Sequence, residues 1–115
     1  MATQDRAFAD RSPGVRAAIA NNFDGDVQLY QAFASSCFEQ FAHDLSSGDA
    51  VCDAGDLPAL RRLAHDLKSA LVMLGHDAPF AVAHKLEREA AAGDLSSARA
   101  SWQVLRVELS RLQSP

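Results

Sequence analysis

"GDLPALRRLAHDLKSALVMLG" (55–75) is the stretch whose reading decides the fold. Its apolar residues recur at intervals of three and four, as Leu60, Leu63/Ala64, Leu67, Leu71 and Leu74. That spacing is the signature of a helix with one buried face, not of a strand. Asp56 stands where an N-cap belongs, Pro58 fits the first turn, and Gly75 is a stop. A helix with a single apolar stripe must bury it against another element. The rest of the chain therefore has to supply partners of the same kind.

Outward from this stretch, the same punctuation repeats. "RSPG" places Ser12 as an N-cap with Pro13 in the first turn, and "FDGD" offers Asp24 or Asp26 as the next cap. "LGHDAP" repeats the stop and cap with Gly75, Asp77 and Pro79, and "AAGDLSS" does so with Gly93 and Asp94. Three further stripes lie between these marks. They are Val27, Tyr30, Ala34, Cys37/Phe38, Phe41, Leu45; then Phe80, Ala83, Leu86, Ala90; then Leu95, Ala98, Trp102, Leu105, Leu109, Leu112. No segment alternates as a strand would. Four amphipathic helices with short connections predict an all-α fold, an antiparallel four-helix bundle, with a short extra helix at about 13–21 packed across one end. "SSGDAVCDAGD" (46–56) is open: the helix before it either runs through Gly48 to about Ala54 or stops and leaves a loop. Gly48 costs a helix up to ~1 kcal/mol relative to Ala, which does not decide between them.

Composition narrows the function classes. The chain has 115 residues, 48% of them hydrophobic, which suits one soluble domain, expected at 13–115 after a flexible segment at 1–12. No apolar run approaches the ~20 residues that span a bilayer, and the first residues lack the apolar centre of a secretory signal. Cys37 and Cys52 have no metal-type spacing and fit a reduced, cytoplasmic protein. A net charge of −4 argues against a nucleic-acid partner.

The tetrapeptide Ala-His-Asp-Leu occurs twice, at 42–45 and 64–67. At 100° per residue, His43 and His65 each lie about 160° from their helix's apolar stripe, so both are expected to face solvent. Their surroundings differ. His43 has Glu39 and Gln40 one turn before it and Ser46 and Ser47 after it. His65 has Arg61 and Arg62 before it, and Lys68 and Ser69 after it. Pro58 and Val72 share its outward face and supply apolar area for a docking partner. A neutral imidazole is a competent nucleophile, and phosphoryl transfer spreads negative charge that nearby cations balance. The chain has no nucleotide-binding loop, so a partner has to bring the rest of the chemistry.

With these residues in view, "AHDLKSALVMLG" (64–75) resembles the signature of histidine phosphotransfer (HPt) domains, H-x-L-K-G-S/A followed by L-G about ten residues after the histidine. His65, Leu67, Lys68, Ala70, Leu74 and Gly75 match it. "GDLPALRRL" upstream and "KLEREAAAGDLSSARASWQVLRVEL" downstream are similar to the family's flanking helices, so the likeness covers roughly 25–112. It implies a phosphorelay intermediate that takes a phosphoryl group on His65 from the aspartate of one receiver domain and passes it to another. It implies that Lys68 steadies the phosphoryl group and that a polar residue of the next helix, aligned at Glu87, bonds the imidazole. Read from the residues alone, Glu87 is equally a solvated charge at i,i+4 spacing. Arg61, Arg62, Pro58, Ser69 and Val72 would form the receiver-docking surface. The chain would act as a monomeric carrier, not as an enzyme, with no cofactor of its own and Mg²⁺ on the receiver. Ser69 departs from the family's usual glycine, which bears on the range of partners.

Other polar residues read more plainly. His76 is a loop histidine after a helix stop, and His84 with Lys85 reads as a solvated face. No His, Asp or Glu set converges as a metal site would require. Two other functions fit a histidine on a helical bundle: a histidine-kinase dimerisation domain and a non-catalytic adaptor. The first expects H-E-x-x-x-P, where this chain has His-Asp-Leu-Lys-Ser.

Overall fold

Gly48, whose effect the sequence leaves open, sits inside one uninterrupted 28-residue helix in the computed structural model, which describes residues 12–113. Five helices run in order: α1 (Pro13–Asn22), α2 (Val27–Ala54), α3 (Leu57–Leu74), α4 (Asp77–Ala91) and α5 (Leu95–Gln113). No strand occurs among the described residues. Each of the four long helices packs on its neighbours around a ring, α2 on α3, α3 on α4, α4 on α5 and α5 on α2, while α1 packs on α3. Residues 1–11 of the expected N-terminal segment lie outside the described residues. Ser12, the last of that segment, caps α1.

The caps are largely those the sequence specifies. Ser12 Oγ accepts from the Val15 amide, Asp26 Oδ1 from Leu29, Asp56 Oδ1 from Ala59 and Asp94 Oδ1 from Ser97, each at 3.0–3.3 Å. These bonds satisfy amides that have no partner within the helix. Of the two candidates in "FDGD", Asp26 is the cap. The expectation for Asp77 is corrected: the N-cap of α4 is His76, whose side chain makes no capping bond, and Asp77 lies in the first turn. A carboxylate there still interacts favourably with the positive end of the helix.

The stripes converge on one core. Leu60, Ala64, Leu67, Leu71 and Leu74 of α3 are at most 1% exposed, as are Phe41, Leu86, Trp102, Leu105 and Leu109 from the surrounding helices. Each buried leucine contributes roughly 1.5–3 kcal/mol relative to an exposed one. α1 adds Val15, Ala18 and Ile19, and Phe23, which caps its C-terminal end, lies edge-on to Tyr30 at 5.3 Å.

Two contacts explain details that periodicity does not. A Cβ on Gly48 would lie 2.1 Å from Trp102 Cζ2, so α2 continues there because only glycine admits the indole of α5. Trp102 Nε1 donates to Asp49 Oδ1 at 2.8 Å, and Arg106 forks onto both oxygens of Asp49 at 2.9 and 2.8 Å. At the end of α3, a Cβ on Gly75 would lie 2.3 Å from Gly14 O, and Gly75 has φ +83°. Asn22 Nδ2 donates to Met73 O at 3.1 Å and Tyr30 Oη to Leu74 O at 2.7 Å. The last carbonyls of α3 are thus held by α1 and α2, which fixes the helix that carries His65.

Candidate functional site

The stripe of α3 that enters the core leaves Pro58, Arg61, Arg62, His65, Ser69 and Val72 on the outward face. Pro58, Arg61, Arg62, Ser69 and Val72 are all exposed, Val72 at 53%, and the His65 side chain is 58% exposed. Lys68 lies at the edge of that face, where α4 packs. Glu87 occupies the matching edge of α4, one residue past the buried Leu86. The side chains of Lys68 and Glu87 are 21% and 17% exposed.

These three groups meet. Glu87 Oε2 lies 2.9 Å from His65 Nδ1, and Glu87 Oε1 accepts from Lys68 Nζ at 2.5 Å. An ionised carboxylate only accepts hydrogen bonds, so His65 Nδ1 is the donor, and in the neutral ring the lone pair then lies on Nε2. Lys68, more than the bond from His65, holds the Glu87 carboxyl below the ordinary carboxylate range, against the opposing effect of burial. Glu87 therefore stays charged at neutral pH and fixes the tautomer of His65. Of the two readings open at Glu87, the one that turns it toward the neighbouring helix is the one observed.

Ser69 Oγ donates to the His65 carbonyl at 3.2 Å, a bond one helical turn back. Its hydroxyl is thereby engaged with the backbone of its own helix. Pro58, Arg61, Arg62, His65, Asp66 and Glu87 line one shallow groove. Ser69 and Val72 lie further along α3 on the same face. His43, the twin of His65, is exposed on α2, and its side chain makes no hydrogen bond or ion pair among the described residues.

One member of the cluster differs from the sequence expectation. His84 is exposed on α4, but its Nδ1 lies 3.5 Å from Lys68 Nζ and its ring is stacked on Phe80 with 2° between the planes. An ammonium has no lone pair, so His84 Nδ1 is the acceptor in this long contact. The available signal was its position three residues before Glu87, which puts both on one edge of α4.

The arrangement has the parts of a nucleophilic imidazole: a lone pair on an exposed ring, a carboxylate orienting the opposite nitrogen, and a flexible ammonium alongside. No helix is long and apolar enough to cross a membrane among the described residues. No curated protein and no solved structure matches the chain. The family model described as the Hpt domain matches residues 27–115, from α2 to the end of the chain, leaving α1 outside the match. With that match spanning the four long helices and His65, the chain belongs to the Hpt domain family, the phosphocarrier modules of histidine phosphotransfer in two-component signalling.

Proposed function

We propose that the chain is a phosphorelay intermediate that accepts a phosphoryl group on His65 from the aspartate of one receiver domain and delivers it to another. The observation that carries this reading is Glu87 bonding His65 Nδ1 and Lys68 Nζ together. In the forward step the Nε2 lone pair attacks phosphorus, a P–N bond forms, and the acyl-phosphate P–O bond breaks to return a free aspartate. The imidazole gains positive charge as it bonds phosphorus, and the Glu87 carboxylate opposite Nδ1 stabilises it. Lys68 is a mobile point charge that follows the phosphoryl oxygens. The reverse step breaks P–N as a second receiver's carboxylate attacks. Magnesium resides on the receiver in this scheme and lowers the charge of the phosphoryl group there; this chain supplies the nucleophile and its orientation.

Pro58, Arg61, Arg62, Ser69 and Val72 form the docking surface around the imidazole. The protein works as a cytoplasmic monomer, and its four long helices run antiparallel, so that successive helices present facing edges. The partners are receiver domains of response regulators or of hybrid kinases.

The test is phosphotransfer in vitro. A phosphorylated receiver with Mg²⁺ should lose its label to the wild-type chain, giving an acid-labile, alkali-stable product, and His65→Gln should take none. Lys68→Ala should slow transfer with helical content unchanged. Label on His65→Gln would refute the assignment, and labelling by ATP alone would favour the kinase-domain alternative.

A further inference from the structure

The two flanks of His65 carry opposite charge. At about 100° per residue, Arg61 falls on the same edge of α3 as Lys68, the edge that meets α4. Arg62 and Asp66 fall on the other edge. That edge faces α2, since α3 packs on α4 along the Lys68 edge and on α2 along the other. The Asp44 carboxyl is held above its ordinary value first by burial and then by Asp66, against the Gln40 hydrogen bond and the charge of His43. α2 has no lysine or arginine along its length, and carries Glu39, Asp44, Asp49 and Asp53.

The α4 flank is the reverse. Its carboxylate, Glu87, is already bonded to Lys68 and His65. One residue on, Arg88 is exposed and its guanidinium makes no hydrogen bond or ion pair among the described residues, and the same holds for the guanidinium of Arg61. His84 lies one turn before Arg88, about 40° away around the helix. Lys85 and Glu89 are paired with each other at 3.0 Å and bonded to Ser101 of α5, so neither competes for Arg88. Ala81 and Ala92 beside Arg88 are exposed and small, which leaves its guanidinium accessible. The α4 side of His65 therefore carries Arg61, Lys68 and Arg88 against Glu87, while the α2 side carries Arg62 against Asp44 and Asp66.

A partner that reacts at an aspartyl phosphate brings an anionic surface to His65. It is attracted by the α4 flank and repelled by the α2 flank. We propose that Arg88 is a specificity-determining contact: the receiver docks across α3 and α4, with Arg88 taking a carboxylate that borders the phosphoacceptor aspartate. An unpaired guanidinium suits this role, since its planar fork matches a carboxylate in two-bond geometry. The inference rests on the receiver-coupled reading above and adds which side of His65 the receiver occupies.

Stopped transfer from a phosphorylated receiver tests it, comparing Arg88→Glu with Arg111→Glu, the same charge change on α5. At limiting concentrations the bimolecular rate should fall roughly three- to tenfold for Arg88→Glu and less than about twofold for Arg111→Glu. The rate within the saturated complex, and direct labelling of His65 by phosphoramidate, should not change. A second readout uses amide shifts of the His65→Gln chain bound to the receiver, which should move at His84, Arg88 and Ala92 but not along Glu39–Ser47. Equal effects of the two charge reversals, or shifts on α2 in place of α4, would overturn the proposal. If phosphoramidate labels wild-type His65 but a panel of phosphorylated receivers does not, the receiver reading itself falls, and the docking side with it.

Discussion

Replacing Gly48 by alanine sets helix propensity against packing, and the two predict opposite signs. In an exposed helix interior the change should stabilise by up to ~1 kcal/mol, because alanine loses less backbone entropy. Gly48 is instead buried, and a Cβ there would lie 2.1 Å from Trp102 Cζ2 and 2.2 Å from Cη2. Trp102 is fully buried, and its ring is tethered through Nε1 to Asp49, which Arg106 grips in turn. The indole has to move by more than an ångström or α2 has to move away from α5. Overpacking costs about 1–3 kcal/mol, and breaking a hydrogen bond to a charged acceptor costs about 1.5–3 kcal/mol. After the propensity gain, Gly48→Ala should destabilise by roughly 1.5–5 kcal/mol, a fall in Tm on the order of 10 °C or more for a domain of this size. Urea denaturation followed by circular dichroism and by fluorescence of the single tryptophan measures it. The double variant Gly48→Ala/Trp102→Leu should show strong coupling, with the alanine costing far less once the ring is gone. An unchanged or raised midpoint in Gly48→Ala would refute the reasoning, as would simple additivity in the double variant.

Two further outcomes follow from other contacts. The Glu87 carboxyl sits below its ordinary value in the folded chain, so it contributes stability above its unfolded pKa, and that stability is lost as pH falls through the folded value. Glu87→Gln should therefore flatten the acid side of the stability profile, by less than about 1 kcal/mol because the cluster is partly solvated; a profile identical to wild type in urea titrations at several pH values would contradict this. Gly75 and Gly93 both have positive φ, but a Cβ on Gly75 would strike Gly14 O at 2.3 Å while Gly93 has nothing within 4 Å. Gly93→Ala should cost about 1–2 kcal/mol from the backbone alone, and Gly75→Ala clearly more in thermal unfolding; equal losses would mean that the α1 contact carries no energy.

The site was legible in unequal parts. His65 was separable from His43 in the sequence because charges at i±3 and i±4 share a helix face whatever surrounds the helix. Glu87 was undecided, since its partner lies 22 residues away and its edge position fits solvent and contact alike. His84 was read as solvated for the same reason, and its contact with Lys68 depends on how closely α3 and α4 pack.

What the sequence by itself determined was local: five helices, nearly all their caps and stops, the buried stripes, and a histidine among cations on an outward face. Those follow from hydrogen bonds and periodicities that span at most a turn or two. The tertiary structure decided whatever needs two helices at once. Gly48 continues α2 because an indole from α5 fills the space a side chain would take, Gly75 is pinned by the backbone of α1, and Glu87 joins His65 to Lys68 because α4 lies against α3. Interhelical distance and rotation set these contacts, and both are fixed only when the core closes around side chains from all the helices together.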